Sequence, residues 1–192
     1  MFITFANKIT FIRIFNVPVF ILLLLYYKNS VNLESPNELF RYCAIIVFIL
    51  TISLDALDGY LARIRNEITK LGSVLDPIAD KSLLVSAFIL LSGNSIGLTH
   101  PHLPVWFVLL VISRDIVLIA GALIIKLFAG SIQVQARILG KTATFFQTAV
   151  IAIVLFKANG IVLTMVVLAA ALFTLASAVQ YIIEGYRQLD KA

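Results

Sequence analysis

RYCAIIVFILTISLDALDGYLAR, residues 41–63, combines two properties that seldom share a segment. The stretch from Tyr42 to Leu54 carries no charge, and Asp55, Asp58 and Arg63 then follow before the apolar pattern ends. An α-helix needs about 20 predominantly apolar residues to cross the hydrocarbon core of a bilayer. A charged side chain at the centre of such a helix costs about 2.5–3.5 kcal/mol on insertion scales, so acids placed there are functional candidates by default. The segment predicts a membrane span, near residues 40–62, that carries chemistry.

The rest of the chain has the same character. Of its 192 residues 61% are hydrophobic and 13% charged, and the mean hydropathy is +1.03. Soluble domains are about half apolar and a quarter charged. Further spans are predicted near residues 10–27, 77–95, 104–126, 142–157 and 160–183. The runs are long, continuous and free of period-2 alternation, and an isolated strand in lipid leaves its backbone groups unpaired. The expectation is an all-α membrane protein: six transmembrane helices with a polar active-site cavity at the cytoplasmic side, in a single domain covering 1–192. Breakers separate the spans at Asn29-Ser30, Ser35-Pro36-Asn37, Gly93-Asn94-Ser95, His100-Pro101-His102, Ala129-Gly130-Ser131 and Asn159-Gly160.

The first apolar run has no Ala-x-Ala-like cleavage site, so it is expected to remain as a helix. Cys43 is the single cysteine, which excludes an intramolecular disulfide. Twelve of the fifteen Lys and Arg fall on one side if both termini and the loops near 63–76 and 127–141 share it; Lys28, Arg41 and Lys157 fall on the other. The positive-inside rule then places both termini and the site in the cytoplasm. The net charge of +5 suits anionic lipid headgroups and phosphate substrates, and nothing in it asks for nucleic acid.

Five of the ten acidic residues, Asp55, Asp58, Asp76, Asp80 and Asp115, adjoin or interrupt apolar segments. For any one of them a structural ion pair is the alternative reading. Asp55 and Asp58 stand at i, i+3 and Asp76 and Asp80 at i, i+4, so each pair faces one direction on its helix. With Arg41 and Arg63 as interfacial anchors, Asp58 lies about 8 Å and Asp55 about 12 Å inward from Arg63. Four carboxylates gathered there repel one another unless protonated or compensated by cations. An oxygen-only set of this kind suits one or two Mg²⁺ or Mn²⁺ ions, while zinc is disfavoured because neither His nor Cys is near. Gly59 leaves room for a ligand or another helix to approach, and Arg63 offers a fork for phosphate. Asp76-Pro77 is expected to cap and start the third span. Metal-assisted chemistry on a phosphoryl group at a membrane surface follows.

Asp55-Ala56-Leu57-Asp58-Gly59-Tyr60-Leu61-Ala62-Arg63 and, eight residues later, Gly72-Ser73-Val74-Leu75-Asp76-Pro77-Ile78-Ala79-Asp80 together resemble the full signature of the CDP-alcohol phosphatidyltransferases. That resemblance implies a six-helix membrane fold, commonly a homodimer, in which Asp55, Asp58, Asp76 and Asp80 hold two divalent ions. It also implies that Asp80 is the catalytic base toward an acceptor hydroxyl, that the donor is a CDP-activated lipid such as CDP-diacylglycerol, and that Gly59 and Arg63 line the CDP site with Asp55.

Asn7, Thr10 and Arg13 match the NxxTxxR opening of the bacterial phosphatidylglycerophosphate synthases within that family, which implies glycerol 3-phosphate as acceptor and the bacterial inner membrane as location. These three stand at spacing three, as a polar stripe in which Asn7 and Thr10 also reach the CDP-lipid; the alternative is a helix cap with Arg13 as an anchor. Two departures bear on the acceptor. Ser113-Arg114-Asp115 stands where those synthases carry Ala-Arg-Glu and is more similar to cardiolipin synthases, whose acceptor is phosphatidylglycerol. Gly140-Lys141-Thr142-Ala143-Thr144 lacks the second lysine of a GKxKT pattern. Arg114, Arg137 and Lys141 remain as acceptor-phosphate ligands. Arg114 needs an anionic partner or an aqueous cavity, and Asp115 lies about 100° around the helix from it. A small cation transporter is the alternative of another class; it accounts for the carboxylates but not for Gly59, Arg63 and Gly72 at their spacing.

Overall fold

The computed structural model describes residues 5–65, 72–92, 103–129 and 138–189, with 5–11, 56–65, 72–80, 125–129 and 188–189 as backbone. Six helices run in the order α1 (Phe5–Asn32), α2 (Glu38–Arg65), α3 (Gly72–Leu91), α4 (Val105–Ala129), α5 (Ile138–Leu155) and α6 (Gly160–Leu189). No β-strand occurs among the described residues. They form two compact units, one within Met1–His102 and one within Leu103–Ala192.

In the first unit α1 packs against α2 and α3. Its buried residues Arg13, Val17, Phe20, Leu24 and Tyr27 alternate steps of four and three, the stripe that keeps one helix seam on a partner. Contacts along the seam fix an antiparallel pairing with α2. The Tyr27 hydroxyl donates to Glu38, the rings of Phe20 and Phe48 lie 5.8 Å apart, and Asn16 Nδ2 donates to Thr51 Oγ1 at 3.2 Å. Glu38 also pairs with Arg41, which is buried.

In the second unit α6 packs against both α4 and α5. Small buried residues Ala170, Ala171, Thr174 and Ser177 on α6 let its neighbours approach closely. Helix association in lipid gains little from the hydrophobic effect and relies on such packing and on interhelical hydrogen bonds. Those bonds are present: Gln147 Nε2 to Thr174 Oγ1 at 3.0 Å, and the Tyr181 hydroxyl to the Leu118 carbonyl at 2.9 Å. Tyr181 lies over Gly121, where a Cβ would stand 2.8 Å from its ring.

The faces turned away from these seams are apolar, with Leu109, Ile116, Ile119 and Leu123 exposed on α4 while Arg13, Gln147 and Thr174 are buried. That inverts the pattern of a water-soluble helix. Among the described residues, Ile12–Asn32, Val105–Ile124, Ile138–Leu155 and Gly160–Arg187 are long and apolar enough to cross a membrane, and Lys81–Leu91 is a shorter apolar stretch. The chain is an integral membrane protein.

Several predicted boundaries move. α1 continues through Asn29-Ser30 because the Ser30 hydroxyl donates to the Tyr27 carbonyl within the helix. It ends where Glu34 turns to φ 56°, with Ser35 N–H reaching the Ser30 carbonyl and Glu34 N–H the Val31 carbonyl, the paired bonds of a Schellman stop. Lys157, at φ 53°, ends α5 in the same way. Asn37 and Asn159 act as N-caps, accepting from Leu39 and Ile161 N–H. α3 begins at Gly72, so Asp76 lies inside the helix and not at its cap. Gly93-Asn94-Ser95, His100-Pro101-His102 and Gly130-Ser131 lie outside the described residues.

Candidate functional site

The signature residues are carried by two helices of the first unit. α2 stays helical from Asp55 through Asp58 and Gly59 to Arg63, and α3 from Asp76 through Asp80, so the i, i+3 and i, i+4 spacings fall on unbroken helix. The side chains of Asp58, Gly59, Arg63, Asp76, Asp80, Asn7 and Thr10 are outside the described residues. Asp55 is described. Its Oδ1 accepts from Arg13 Nη2 at 2.8 Å, and the two side chains are 44% and 1% exposed respectively.

This pair answers the charge problem posed by the sequence. A guanidinium supplied by α1 offsets the Asp55 carboxylate, and burial of the arginine fixes where that carboxylate sits. Half of the Asp55 carboxylate remains open to a second cation. The α1–α2 seam becomes polar stepwise toward this end, from Phe20 and Phe48 through Asn16 and Thr51 to Arg13 and Asp55. Arg13 is buried and turned toward α2, so it is not an interfacial anchor; the rest of the expected stripe, Asn7 and Thr10, has its side chains outside the described residues. Arg13 lies outside the aspartate signature yet contacts its first member, Asp55; its position three residues after Thr10 is the sequence signal for it.

Among the described residues no group of three or more His, Cys, Asp or Glu stands close enough for a metal ion, and of the four signature carboxylates only Asp55 has a described side chain. As a donor set the four fit a hard divalent ion: all are oxygen ligands, and Asp55 keeps an open face beside its arginine.

The second unit holds the other predicted cations. Arg114 on α4 is 10% exposed; its Nη1 donates to Asp115 Oδ1 at 2.8 Å and its Nη2 to Ser177 Oγ of α6 at 2.9 Å. Neighbours on a helix point about 100° apart, yet the arginine stem is long enough to curl back to Asp115, so the two act together. Ser177, with no motif to announce it, is reached only through the packing of α6 on α4. Lys141 on α5 is exposed, and Arg137 lies outside the described residues. Ala143, at the position of the missing second lysine, is 0% exposed. Helix packing occupies the place where a cation would otherwise project.

The model of the CDP-alcohol phosphatidyltransferase family matches residues 3–177. The chain belongs to that family. A CDP-diacylglycerol–glycerol-3-phosphate 3-phosphatidyltransferase of Bacillus subtilis is 34% identical over 144 residues, covering 73% of this chain and 70% of that protein. A protein of the same name from Rickettsia bellii is 31% identical over 182 residues, covering 94% of this chain and 90% of its own. A CMP-forming cardiolipin synthase of Streptomyces coelicolor is 32% identical over 143 residues, 74% of this chain and 60% of that protein. This phosphatidyltransferase is thus a membrane-embedded enzyme of phospholipid biosynthesis, and transferase chemistry replaces the cation-transport alternative.

Proposed function

We propose that the enzyme transfers a phosphatidyl group from CDP-diacylglycerol to glycerol 3-phosphate, releasing CMP and forming phosphatidylglycerophosphate. The observation that carries this reading is the similarity over 94% of the chain to a relative named for that reaction. The half-open Asp55 carboxylate supports a divalent cation, Mg²⁺ or Mn²⁺ and two in number, held by Asp55, Asp58, Asp76 and Asp80. The chemistry such ions supply when bound is stabilisation of the charge that builds on the phosphoryl group and on departing CMP.

Asp80 takes the proton from the acceptor hydroxyl, whose oxygen then attacks the lipid-linked phosphorus. That P–O bond forms as the bond from the same phosphorus to CMP breaks, and CMP leaves with the bonding pair. Gly59, Arg63, Asn7 and Thr10 bind the CDP-lipid with Asp55, and Arg114, Arg137 and Lys141 bind the acceptor's phosphate. The family match runs through both compact units, which supports a single domain of 1–192. Six spans, cytoplasmic termini and active site, a bacterial inner-membrane location and a homodimer complete the reading, supported by the lysine and arginine asymmetry and the bacterial relatives.

Buried Ala143 and the sequence Ser113-Arg114-Asp115 favour a second reading, cardiolipin synthesis with phosphatidylglycerol as acceptor. Purified protein given CDP-diacylglycerol, Mg²⁺ or Mn²⁺ and each acceptor separately decides between them by CMP release and product mass. Faster turnover with glycerol 3-phosphate is expected; turnover with phosphatidylglycerol alone overturns the first reading in favour of the second. Asp80→Asn should abolish turnover while the protein still binds CDP-diacylglycerol.

A further inference from the structure

Two acceptors hold the Arg114 guanidinium from different nitrogens, yet its buried Nε has no hydrogen-bond partner. A buried donor left unpaired carries the full penalty of desolvation, so a native arginine with an orphan Nε is incomplete until something accepts from it. The Nε edge of a guanidinium matches the oxygens of a phosphate, two parallel donors to two acceptors. The α5 backbone runs close beside the pair: a Cβ built on Gly140 would stand 3.6 Å from both Arg114 Nη2 and Ser177 Oγ, an ordinary van der Waals contact.

Ser177 matters because of what it fixes. Arginine has many rotamers, and a ligand that must immobilise one binds more weakly than a ligand meeting it already held. Asp115 is attached to the same helix as Arg114, one residue away, and follows it wherever α4 moves. Ser177 comes from α6 and is itself buried, so its bond at 2.9 Å fixes the guanidinium against a second helix.

We propose that Ser177 is a positioning residue of the acceptor site, setting the plane of the Arg114 guanidinium so that its Nε edge faces a phosphate oxygen of the acceptor alcohol. The inference rests on the assignment of Arg114 to the acceptor phosphate and deepens it. The phosphate monoester of glycerol 3-phosphate and the diester of phosphatidylglycerol share this chemistry, and each is an arm of the test.

Steady-state kinetics of the full chain in detergent or nanodiscs, with Ser177→Ala, Ser177→Thr, Ser177→Val and Arg114→Gln, separates the roles. Losing a hydrogen bond to a charged group raises the KM for whichever acceptor the enzyme uses by about tenfold in Ser177→Ala, with the KM for CDP-diacylglycerol unmoved. Thr keeps the hydroxyl and Val replaces it at nearly the same volume, so Thr should restore the acceptor KM and Val should not, a contrast that holds even where Ala fails to fold. An acceptor KM equal in the Thr and Val variants, or a shift shared with the KM for CDP-diacylglycerol, overturns the role of Ser177. If Arg114→Gln leaves both acceptor KM values unchanged, the assignment of Arg114 itself fails; if it raises one while the serine variants do not, only the inference about Ser177 fails.

Discussion

Arg13–Asp55 and Arg114–Asp115 are both arginine–aspartate pairs at 2.8 Å, and they leave opposite charges available. In the first, the arginine is sealed between helices at 1% exposure and the carboxylate stays half open at 44%. In the second, the carboxylate is covered at 14%, and the arginine keeps a buried donor with nothing to accept from it. One arrangement offers an anion to a cation; the other offers a cation to an anion. The first is the arrangement that the proposed metal site calls for, and the second the one that the proposed acceptor-phosphate site calls for.

Breaking the first pair at its open end should have the largest effect. Asp55→Ala removes a proposed metal ligand, so turnover falls by more than about a hundredfold, the upper end of what supporting residues around a metal cost. Thermal unfolding of the detergent-solubilised protein should show a second asymmetry. Leaving a buried charge without its partner costs about 3–5 kcal/mol, so Asp55→Ala should destabilise more than Arg13→Met, which leaves a carboxylate that water reaches. An equal loss in both variants would mean that the difference in burial has no energetic weight. Arg13→Met should weaken Mn²⁺ binding by about 10–100-fold, read by electron paramagnetic resonance titration. Tighter binding would instead make Arg13 a competitor of the cation.

The second pair should behave differently. Asp115→Asn gives up a charge-assisted bond worth about 1.5–3 kcal/mol and should leave Mn²⁺ affinity unchanged. A shift in that affinity would erase the division between the two pairs. The smallest effects concern glycines. Gly121→Ala meets the Tyr181 ring at 2.8 Å and should cost about 1–3 kcal/mol by overpacking. Gly140→Ala, whose Cβ would lie 3.6 Å from Arg114 and Ser177, should stay within about 0.5 kcal/mol.

Much of this was legible in the linear sequence, for identifiable reasons. Apolar run length locates helices because lipid imposes it, and Asn37 and Asn159 mark helix starts because a side-chain cap is a local device. Local rules failed where geometry intervened. Asn29-Ser30 reads as a break, but the Ser30 hydroxyl is absorbed by its own helix and the turn comes at Glu34, a non-glycine in the left-handed region. Asp76-Pro77 reads as a helix start because proline fits a first turn, yet α3 begins at Gly72. Pairings between helices were the least legible. Spacing shows that Asp55 and Asp58 share a face, but nothing in it places Arg13 opposite, and Ser177 meets Arg114 only because small residues let α6 come close to α4.

CMP release from purified protein supplied with CDP-diacylglycerol, glycerol 3-phosphate and Mg²⁺ or Mn²⁺ reads the proposed reaction itself. Metal-dependent CMP release, matched by phosphatidylglycerophosphate and abolished in Asp80→Asn, is expected. Absence of CMP with both glycerol 3-phosphate and phosphatidylglycerol would rule out the proposed transfer, and release that persists undiminished in Asp80→Asn would rule out Asp80 as its base.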